Sequence, residues 1–470
     1  MKIEQIYTGC LAQGSYYIES NGESAIVDPL REVNQYIALA KDRNTTIKYI
    51  FETHFHADFV SGHVTLSEKT GAPIIYGPTA ETTFETIVAK DNQEFKLGDI
   101  TIKVLHTPGH TMESATFLVI DENGKEHAIF SGDTLFLGDV GRPDLAQKAT
   151  SFTQEDLAGL LFDSLRNKIM SLPDDTIIYP GHGAGSACGK NMSKETVGVL
   201  GDQKLNNYAL RADMTKVEFV KELTDGLGAP PAYFPLNVQM NKGGYENIDT
   251  VIERGMRELS PTEFEAAANE TEALILDVRP QSEFVKGHIP RSIFIGIDGG
   301  FAPWVGALIK DVKQPILLIS PIGKEEEVLI RLSRVGFDNT IGVLKGGFES
   351  WKQENKEVDT MESISVEEFK TRQAADHNPV FDVRKEAEYK SEFALGASHT
   401  ALSKLNNHLS EFPTEGKFYI HCAGGYRSVI AGSILKSRGI HNMVNIEGGF
   451  DAMVKGGVEV TAFVCPSTLK

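Results

Sequence analysis

Thr53-His54-Phe55-His56-Ala57-Asp58-Phe59 sets two imidazoles and a carboxylate at alternate positions. Imidazole nitrogen and carboxylate oxygen both ligate zinc or iron, so the spacing suits a metal-binding loop. The two-metal form of such a loop reads H-x-H-x-D-H. Here the last position is Phe59, and a phenyl ring cannot ligate a metal. Three further elements follow in order: Pro108-Gly109-His110-Thr111, Ser131-Gly132-Asp133-Thr134 and Pro180-Gly181-His182-Gly183. Any one of these histidines alone is more readily an ordinary surface or core residue. All four elements, each just after a strand-like run, point to one site.

A second chemistry lies in His421-Cys422-Ala423-Gly424-Gly425-Tyr426-Arg427-Ser428. A strand (Phe418–His421) runs into a Gly-bearing loop, and a helix (Ser428–Arg438) follows. Backbone N–H groups and a helix N-terminus can surround one sulfur and favour its thiolate. Arg427 adds a cation able to hold an anionic group. A thiolate so placed can accept a sulfane sulfur and hold it as Cys–S–S⁻.

The elements that must position these groups are short. Strand-like runs cover Ser24–Val27, Lys48–Phe51, Ile74–Tyr76, Ile100–Leu105, Ala115–Ile120, Ala128–Phe130 and Ile177–Tyr179. Layered α/β folds place ligands at the carboxyl ends of strands. Helical pattern fills Asp156–Leu172 and Lys194–Leu227, and Gly228-Ala229-Pro230-Pro231 breaks it. Further on, Leu276-Asp277-Val278-Arg279 recurs as Phe381-Asp382-Val383-Arg384, 105 residues later. Leu344-Lys345-Gly346-Gly347-Phe348 recurs as Ile446-Glu447-Gly448-Gly449-Phe450. A period near 100 residues is a duplicated domain rather than a solenoid. Apolar runs alternating with helical stretches predict α/β units with parallel sheets. Linkers are expected near residues 245–260 and 355–362.

Composition narrows the classes. The chain has 470 residues, and 46 basic against 65 acidic side chains give a net charge of −19. That argues against nucleic acid, which needs clustered Lys and Arg. No run approaches the roughly 18 apolar residues of a membrane span. Met1-Lys2-Ile3-Glu4-Gln5-Ile6 lacks the form of a signal peptide, so the cytoplasm is the expected location. Four scattered cysteines (Cys10, Cys188, Cys422, Cys465) make no disulfide framework.

The four metal-type motifs resemble the metallo-β-lactamase superfamily over roughly residues 1–245. That implies an αβ/βα sandwich with metals at one edge. Two-metal members such as glyoxalase II keep the full H-x-H-x-D-H. Here His54, His110 and Asp133 remain, the two-His, one-carboxylate set of non-haem Fe(II) oxygenases. The pattern is similar to the persulfide dioxygenases of the superfamily. By that resemblance His54, His110 and Asp133 hold one Fe(II), and His56, Asp58 and His182 orient ligands or gate protons. The same ligands would also accept Zn. Arg142 and Tyr179 are candidate contacts for an anionic thiol carrier, with a structural Arg142–Asp144 pair as the alternative. Cys188 is a candidate substrate-proximal thiol or buried filler.

The Cys422 loop resembles the rhodanese family over about residues 362–460, with Asp382-Val383-Arg384 and Gly448-Gly449-Phe450 as further landmarks. Ala423, Gly424, Gly425 and Tyr426 would form the persulfide-binding loop, with Cys422 and Arg427 catalytic. A phosphatase-like reading of the loop is disfavoured. Residues 260–355 carry the rhodanese landmark Gly287-His288-Ile289-Pro290, but Ser320 stands at the cysteine position and Glu325-Glu326-Glu327 follow. A serine hydroxyl is no thiolate near pH 7, so this domain is expected to be a non-catalytic spacer or interface.

The expected architecture is therefore an N-terminal metallo-β-lactamase domain (1–245), an inactive rhodanese-like domain (260–355) and an active one (362–460), all α/β. The resemblance implies an iron dioxygenase that oxidises a low-molecular-weight thiol persulfide, such as glutathione persulfide, to sulfite and thiol. A sulfurtransferase handling persulfide and thiosulfate would be coupled to it, in sulfide detoxification, and a homo-oligomer is expected. The alternatives are a zinc thioester hydrolase of glyoxalase II type and a sulfur-relay protein without oxygenase activity.

Overall fold

The computed structural model describes residues 1–145 and 152–465. It divides into two compact units, Met1–Asp249 with Leu332–Gly336, and Thr250–Arg331 with Phe337–Lys470. Both units mix helix and sheet, as expected.

In the first unit two six-stranded sheets lie face to face. One runs Lys2–Thr8, Gln13–Ser20, Glu23–Val27, Thr46–Glu52, Ile74–Tyr76, Ile87–Val88. The other runs Gly198–Val199, Ile177–Pro180, Glu126–Gly132, Ala115–Ile120, Ile100–His106, Glu94–Leu97. Alternation along each strand explains the layering, because successive side chains face opposite ways. Tyr16, Ile18, Val27 and Phe51 meet Ile102, Val104, Phe117 and Phe130 between the sheets. Tyr17, Ile26 and Ile50 face outward onto Tyr36, Ala40 and Leu66, which come from or flank the helices Asn34–Asp42 and His63–Thr70. On the far side Leu105, Leu118, Ile129 and Ile178 pack on Ala158, Leu161 and Phe219.

One helical expectation is corrected. Lys194–Leu227 is not continuous: Leu200–Asn206 and Lys216–Thr224 are separate helices with a short 3-10 turn, Tyr208–Leu210, between them. Asn207 and Thr215 cause the breaks, since their side chains accept the N–H groups of Ala209 and Glu218 and start new helical segments. The stretch expected as the first linker contains a helix, Ile248–Gly255.

The second unit contains two five-stranded parallel sheets with the same strand order. The first is Glu258–Leu259, Thr340–Leu344, Ile316–Ile319, Leu274–Asp277, Ile293–Phe294. The second is Ser363–Ile364, Met443–Ile446, Phe418–His421, Val380–Asp382, Ala397–His399. The repeated Asp-Val-Arg motif does one structural job twice. Arg279 pairs with Asp277 at 2.6 Å and lies 4.1 Å over the Phe348 ring. Arg384 pairs with Asp382 at 2.6 Å and lies 3.8 Å over Phe450. The motif therefore staples the end of one strand to the Gly-Gly-Phe turn.

His288 gives this unit a pH dependence. Its ring stacks on Phe284 at 4.0 Å, its Nδ1 lies 2.9 Å from the Phe284 carbonyl, and burial pushes its pKa down to about 4. The unfolded chain therefore binds a proton near pH 6.5 that the folded chain refuses, so stability falls as pH drops toward about 4. Thermal denaturation of a His288→Gln variant is expected to show a smaller loss of Tm across that window. An equal loss would assign the dependence to other groups.

Candidate functional site

The four metal-type motifs come together at one end of the sandwich. His54 follows the strand Thr46–Glu52, Asp133 follows Glu126–Gly132, and His182 follows Ile177–Pro180. His110 sits in the turn between Ile100–His106 and Ala115–Ile120. Close approach of loops demands glycine here: a Cβ on Gly181 would stand 2.6 Å from Asp133 Oδ1.

His54, His110 and Asp133 bring one ligand atom each within 4.8 Å of one another, all buried. His110 Nε2 lies 3.4 Å and His54 Nε2 3.8 Å from Asp133 Oδ2. The ring orientations are set from behind. His110 Nδ1 is 2.8 Å from the Arg142 carbonyl oxygen, so it carries the proton and Nε2 keeps its lone pair. Thr53 Oγ1 donates to Asp28 and so accepts from His54 Nδ1 at 2.9 Å, with the same consequence. Burial holds the His54 pKa well below its ordinary value, which keeps that ring neutral. Both Asp133 oxygens are buried without a hydrogen-bond partner among the described residues. Unsatisfied buried carboxylate is costly, and two imidazoles that turn Nε2 toward it fit a divalent cation.

His56, Asp58 and His182 form a second buried group. His182 Nε2 lies 3.4 Å from Asp58 and 3.6 Å from Asp133, while its Nδ1 is 3.2 Å from the Ala12 carbonyl. Burial opposes a charge on His182, but Asp58 and Asp133 outweigh it and raise its pKa. Nε2 of His56 turns to Asp28 at 3.1 Å and Glu52 at 3.5 Å. Phe59 is fully buried with its ring centroid 4.3 Å from that of His56.

Other expected contacts fall differently. Arg142 is buried and closed on Asp144 at 2.6 and 2.7 Å, so the structural pairing is what the fold contains. Tyr179, expected as a substrate contact, is half-buried against the core between the sheets: it stacks on Phe130 at 5.2 Å and meets Tyr16 edge-on at 5.3 Å. Register explains this, because Tyr179 pairs with Phe130 and shares its inward face. Cys188 is buried within 4.8 Å of ligand atoms of Asp133 and His182, and burial followed by Asp58 and Asp133 pushes its thiol well up.

Three contributors carry no motif. Asn241 donates to the carbonyls of His56 and Phe59 at 2.8 and 2.9 Å, clamping the loop from a distant helix. Asp28 anchors Thr53 through both its backbone N–H and its hydroxyl, each at 2.8 Å. Tyr233 is buried where the charges of Asp58 and Cys188 reach it, which with burial itself raises its pKa.

In the second unit Cys422 is buried, and its sulfur accepts the Gly425 N–H at 3.1 Å. The helix Tyr426–Ser437 opens directly after the loop. Ala423, Gly424 and Gly425 lie between Cys422 and the helix. The carbonyls of Cys422 and Ala423 accept the N–H groups of Phe450 and Asp451, and a Cβ on Gly449 would sit 2.4 Å from Cys422 O, which explains the Gly-Gly-Phe turn. Arg427 was expected to hold substrate; its guanidinium is closed on Glu388 at 2.6 and 2.8 Å. Ser320, at the matching place in the first repeat, is buried and brings no thiol.

A model of the metallo-β-lactamase superfamily matches residues 8–182. A solved structure titled as a metallo-β-lactamase from Staphylococcus aureus subsp. aureus COL is 32% identical, with 73% of this chain and 98% of that one covered at a TM-score of 0.65. The chain belongs to the metallo-β-lactamase superfamily. A rhodanese-like domain model matches residues 260–354 and 365–455, so two rhodanese-like domains follow the metallo-β-lactamase domain. A probable hydroxyacylglutathione hydrolase of Schizosaccharomyces pombe is 33% identical over 168 residues, 35% of this chain and 60% of that protein. A cytoplasmic hydroxyacylglutathione hydrolase of Arabidopsis thaliana is 32% identical over 187 residues, 39% of this chain and 67% of that protein. The chain thus spans about 60% of the length of the first curated relative. Among the described residues no helix is long and apolar enough to cross a membrane.

Proposed function

We propose that residues 1–245 form a persulfide dioxygenase with one Fe(II) held by His54, His110 and Asp133, that 362–460 form a sulfurtransferase working through Cys422, and that 260–355 lack a nucleophile of their own. The observation that carries the first part is Phe59. It fills the position of the last histidine in a two-metal loop and packs on His56, so the second group loses one ligand. Asp58 and His182 then serve each other as a charge pair beside the three remaining ligands. A bound ferrous ion would supply one-electron chemistry with dioxygen and an open position for sulfur.

The reaction balances as one persulfide, dioxygen and water giving one thiol, one sulfite and two protons. The four electrons lost by the outer sulfur are those that dioxygen takes up. The His182–Asp58 pair is placed to accept or return the protons. The buried Cys188 thiol and Tyr233 hydroxyl wall the site. In the second unit the Cys422 thiolate attacks an outer sulfur, the S–S bond breaks and sulfite or thiol leaves. The Gly425 N–H steadies the charge on sulfur.

A zinc thioester hydrolase is the second reading, favoured by the group His56, Asp58, His182 and by the activity named for the hydroxyacylglutathione hydrolases. Metal analysis combined with oxygen uptake decides. One iron per chain and oxygen uptake with a glutathione-type persulfide support the dioxygenase; two zinc and hydrolysis of a glutathione thioester support the hydrolase. Phe59→His should restore the missing ligand. Metal content by plasma mass spectrometry is expected to rise from one to two ions per chain, while persulfide-dependent oxygen uptake falls. An unchanged ratio would mean that Phe59 does not decide nuclearity.

A further inference from the structure

We infer that the middle rhodanese-like domain is a working part of the Cys422 site: Gln281 supplies a neutral amide that positions the anionic sulfur donor, and Tyr426 latches the two domains in that register. The inference rests on the sulfurtransferase reading of Cys422. The thiol loop lacks a cation free for substrate, because Glu388 takes both terminal nitrogens of Arg427. A donor such as thiosulfate carries two negative charges and must be met by N–H groups instead. The side of the loop at Gly424 is open, with nothing within 4 Å of where a Cβ would stand. At Gly425, whose N–H already points at the Cys422 sulfur, the nearest atom is from the other domain. The Gln281 amide nitrogen lies 3.5 Å from where a Cβ on Gly425 would be. The Gln281 side chain makes no hydrogen bond among the described residues, so its two N–H donors remain available.

The latch is built from the fourth residue after the nucleophile. The Tyr426 hydroxyl donates to the Gly296 carbonyl at 2.7 Å, and its ring packs edge-on against Phe294 at 5.8 Å. Gly299 lies against the same ring, for a Cβ there would come within 2.2 Å of Tyr426 Cζ. Beside it the Phe294 N–H donates to Ser433 on the helix that Tyr426 begins, at 2.9 Å. A spacer domain needs none of these contacts. They hold the strand Ile293–Phe294 and the segment after it against the start of the helix that carries the Cys422 loop.

The test uses the full chain and reads Cys422 directly. Alkylation by iodoacetate, an anion, and by iodoacetamide, its neutral counterpart, is followed at Cys422 by peptide mass spectrometry. Gln281→Ala is expected to lower the iodoacetate-to-iodoacetamide rate ratio about five-fold, and Gln281→Glu about ten-fold or more, since a hydrogen bond to an anion is lost and then replaced by repulsion. Iodoacetamide rates and Tm should stay near wild type for both, as a merely structural role would not allow. Tyr426→Phe keeps the ring and removes only the latch bond, and is expected to lower the same ratio about three-fold. Ratios within two-fold of wild type for both Gln281 variants overturn the positioning role, and an unchanged Tyr426→Phe ratio overturns the latch. Failure of the wild type to form thiocyanate from thiosulfate and cyanide would instead defeat the sulfurtransferase reading, leaving the alkylation ratios to judge the domain coupling.

Discussion

A His110→Ala variant is expected to lose its metal and at least about 100-fold of its persulfide-dependent oxygen uptake, beyond the 10- to 100-fold that loss of a mere orienting partner costs. Nε2 of His110 faces Asp133 at 3.4 Å while Nδ1 is committed to the Arg142 carbonyl, so the ring has one task. Without it one imidazole and one carboxylate remain, too few donors for a stable centre. The fold should survive, because the turn around His110 is also held by Gly109 donating to Thr111 O and Thr107 donating to Ser114 O. Circular dichroism would show an unchanged spectrum, and Cys422-dependent sulfur transfer should stay within about two-fold of wild type. Retention of both metal and oxygen uptake would remove His110 from the site.

The complementary change is Cys422→Ser, expected to lower sulfur transfer from thiosulfate by about a thousand-fold or more with oxygen uptake unaltered. A serine hydroxyl is scarcely ionised near neutral pH and cannot form a persulfide, whereas a thiolate is both nucleophile and carrier. The chain already contains a comparison, since Ser320 stands at the same place in the first repeat. Steady-state thiocyanate formation measures the loss. Substantial transfer by Cys422→Ser would move the nucleophile elsewhere, and Cys188 would be the next residue to change.

Much of the site was legible because its chemistry depends on residue identity at short spacing. His54, His56 and Asp58 are alternate residues, and Cys422 and Gly425 are three apart, so local order alone brings them near one another. The duplication was readable for a similar reason: Asp-Val-Arg and Gly-Gly-Phe recur because each pair forms one staple at a strand end. Strands of alternating pattern were found nearly in place. The helix expected over Lys194–Leu227 was not, because Asn207 and Thr215 cap inside a stretch whose apolar spacing reads as continuous.

Side-chain partners across long loops were beyond the pattern. Arg427 looks like a free cation next to a thiol, but Glu388 lies 39 residues away and neutralises it. Tyr179 reads from the sequence as a candidate contact for the thiol carrier, and pairing with Phe130 lays its half-buried ring against the core between the sheets. Asn241 clamps the metal loop from 182 residues beyond Phe59, and no spacing rule reaches that far.

The sequence by itself determined which atoms are available: two imidazoles and a carboxylate without the last histidine, one thiol in a glycine loop, and a twin loop without a thiol. These follow from composition and local spacing, to which metal and sulfur chemistry are tied. The tertiary structure alone decided which of those atoms are free. Packing two sheets face to face brings His110, Asp133 and His182 around His54, and the carbonyls of Arg142 and Ala12 behind the rings choose the nitrogen each presents. Packing one repeat on its twin brings Gln281 to the Cys422 loop. Such choices belong to contacts between residues distant in the chain, and only the folded arrangement of both partners supplies them.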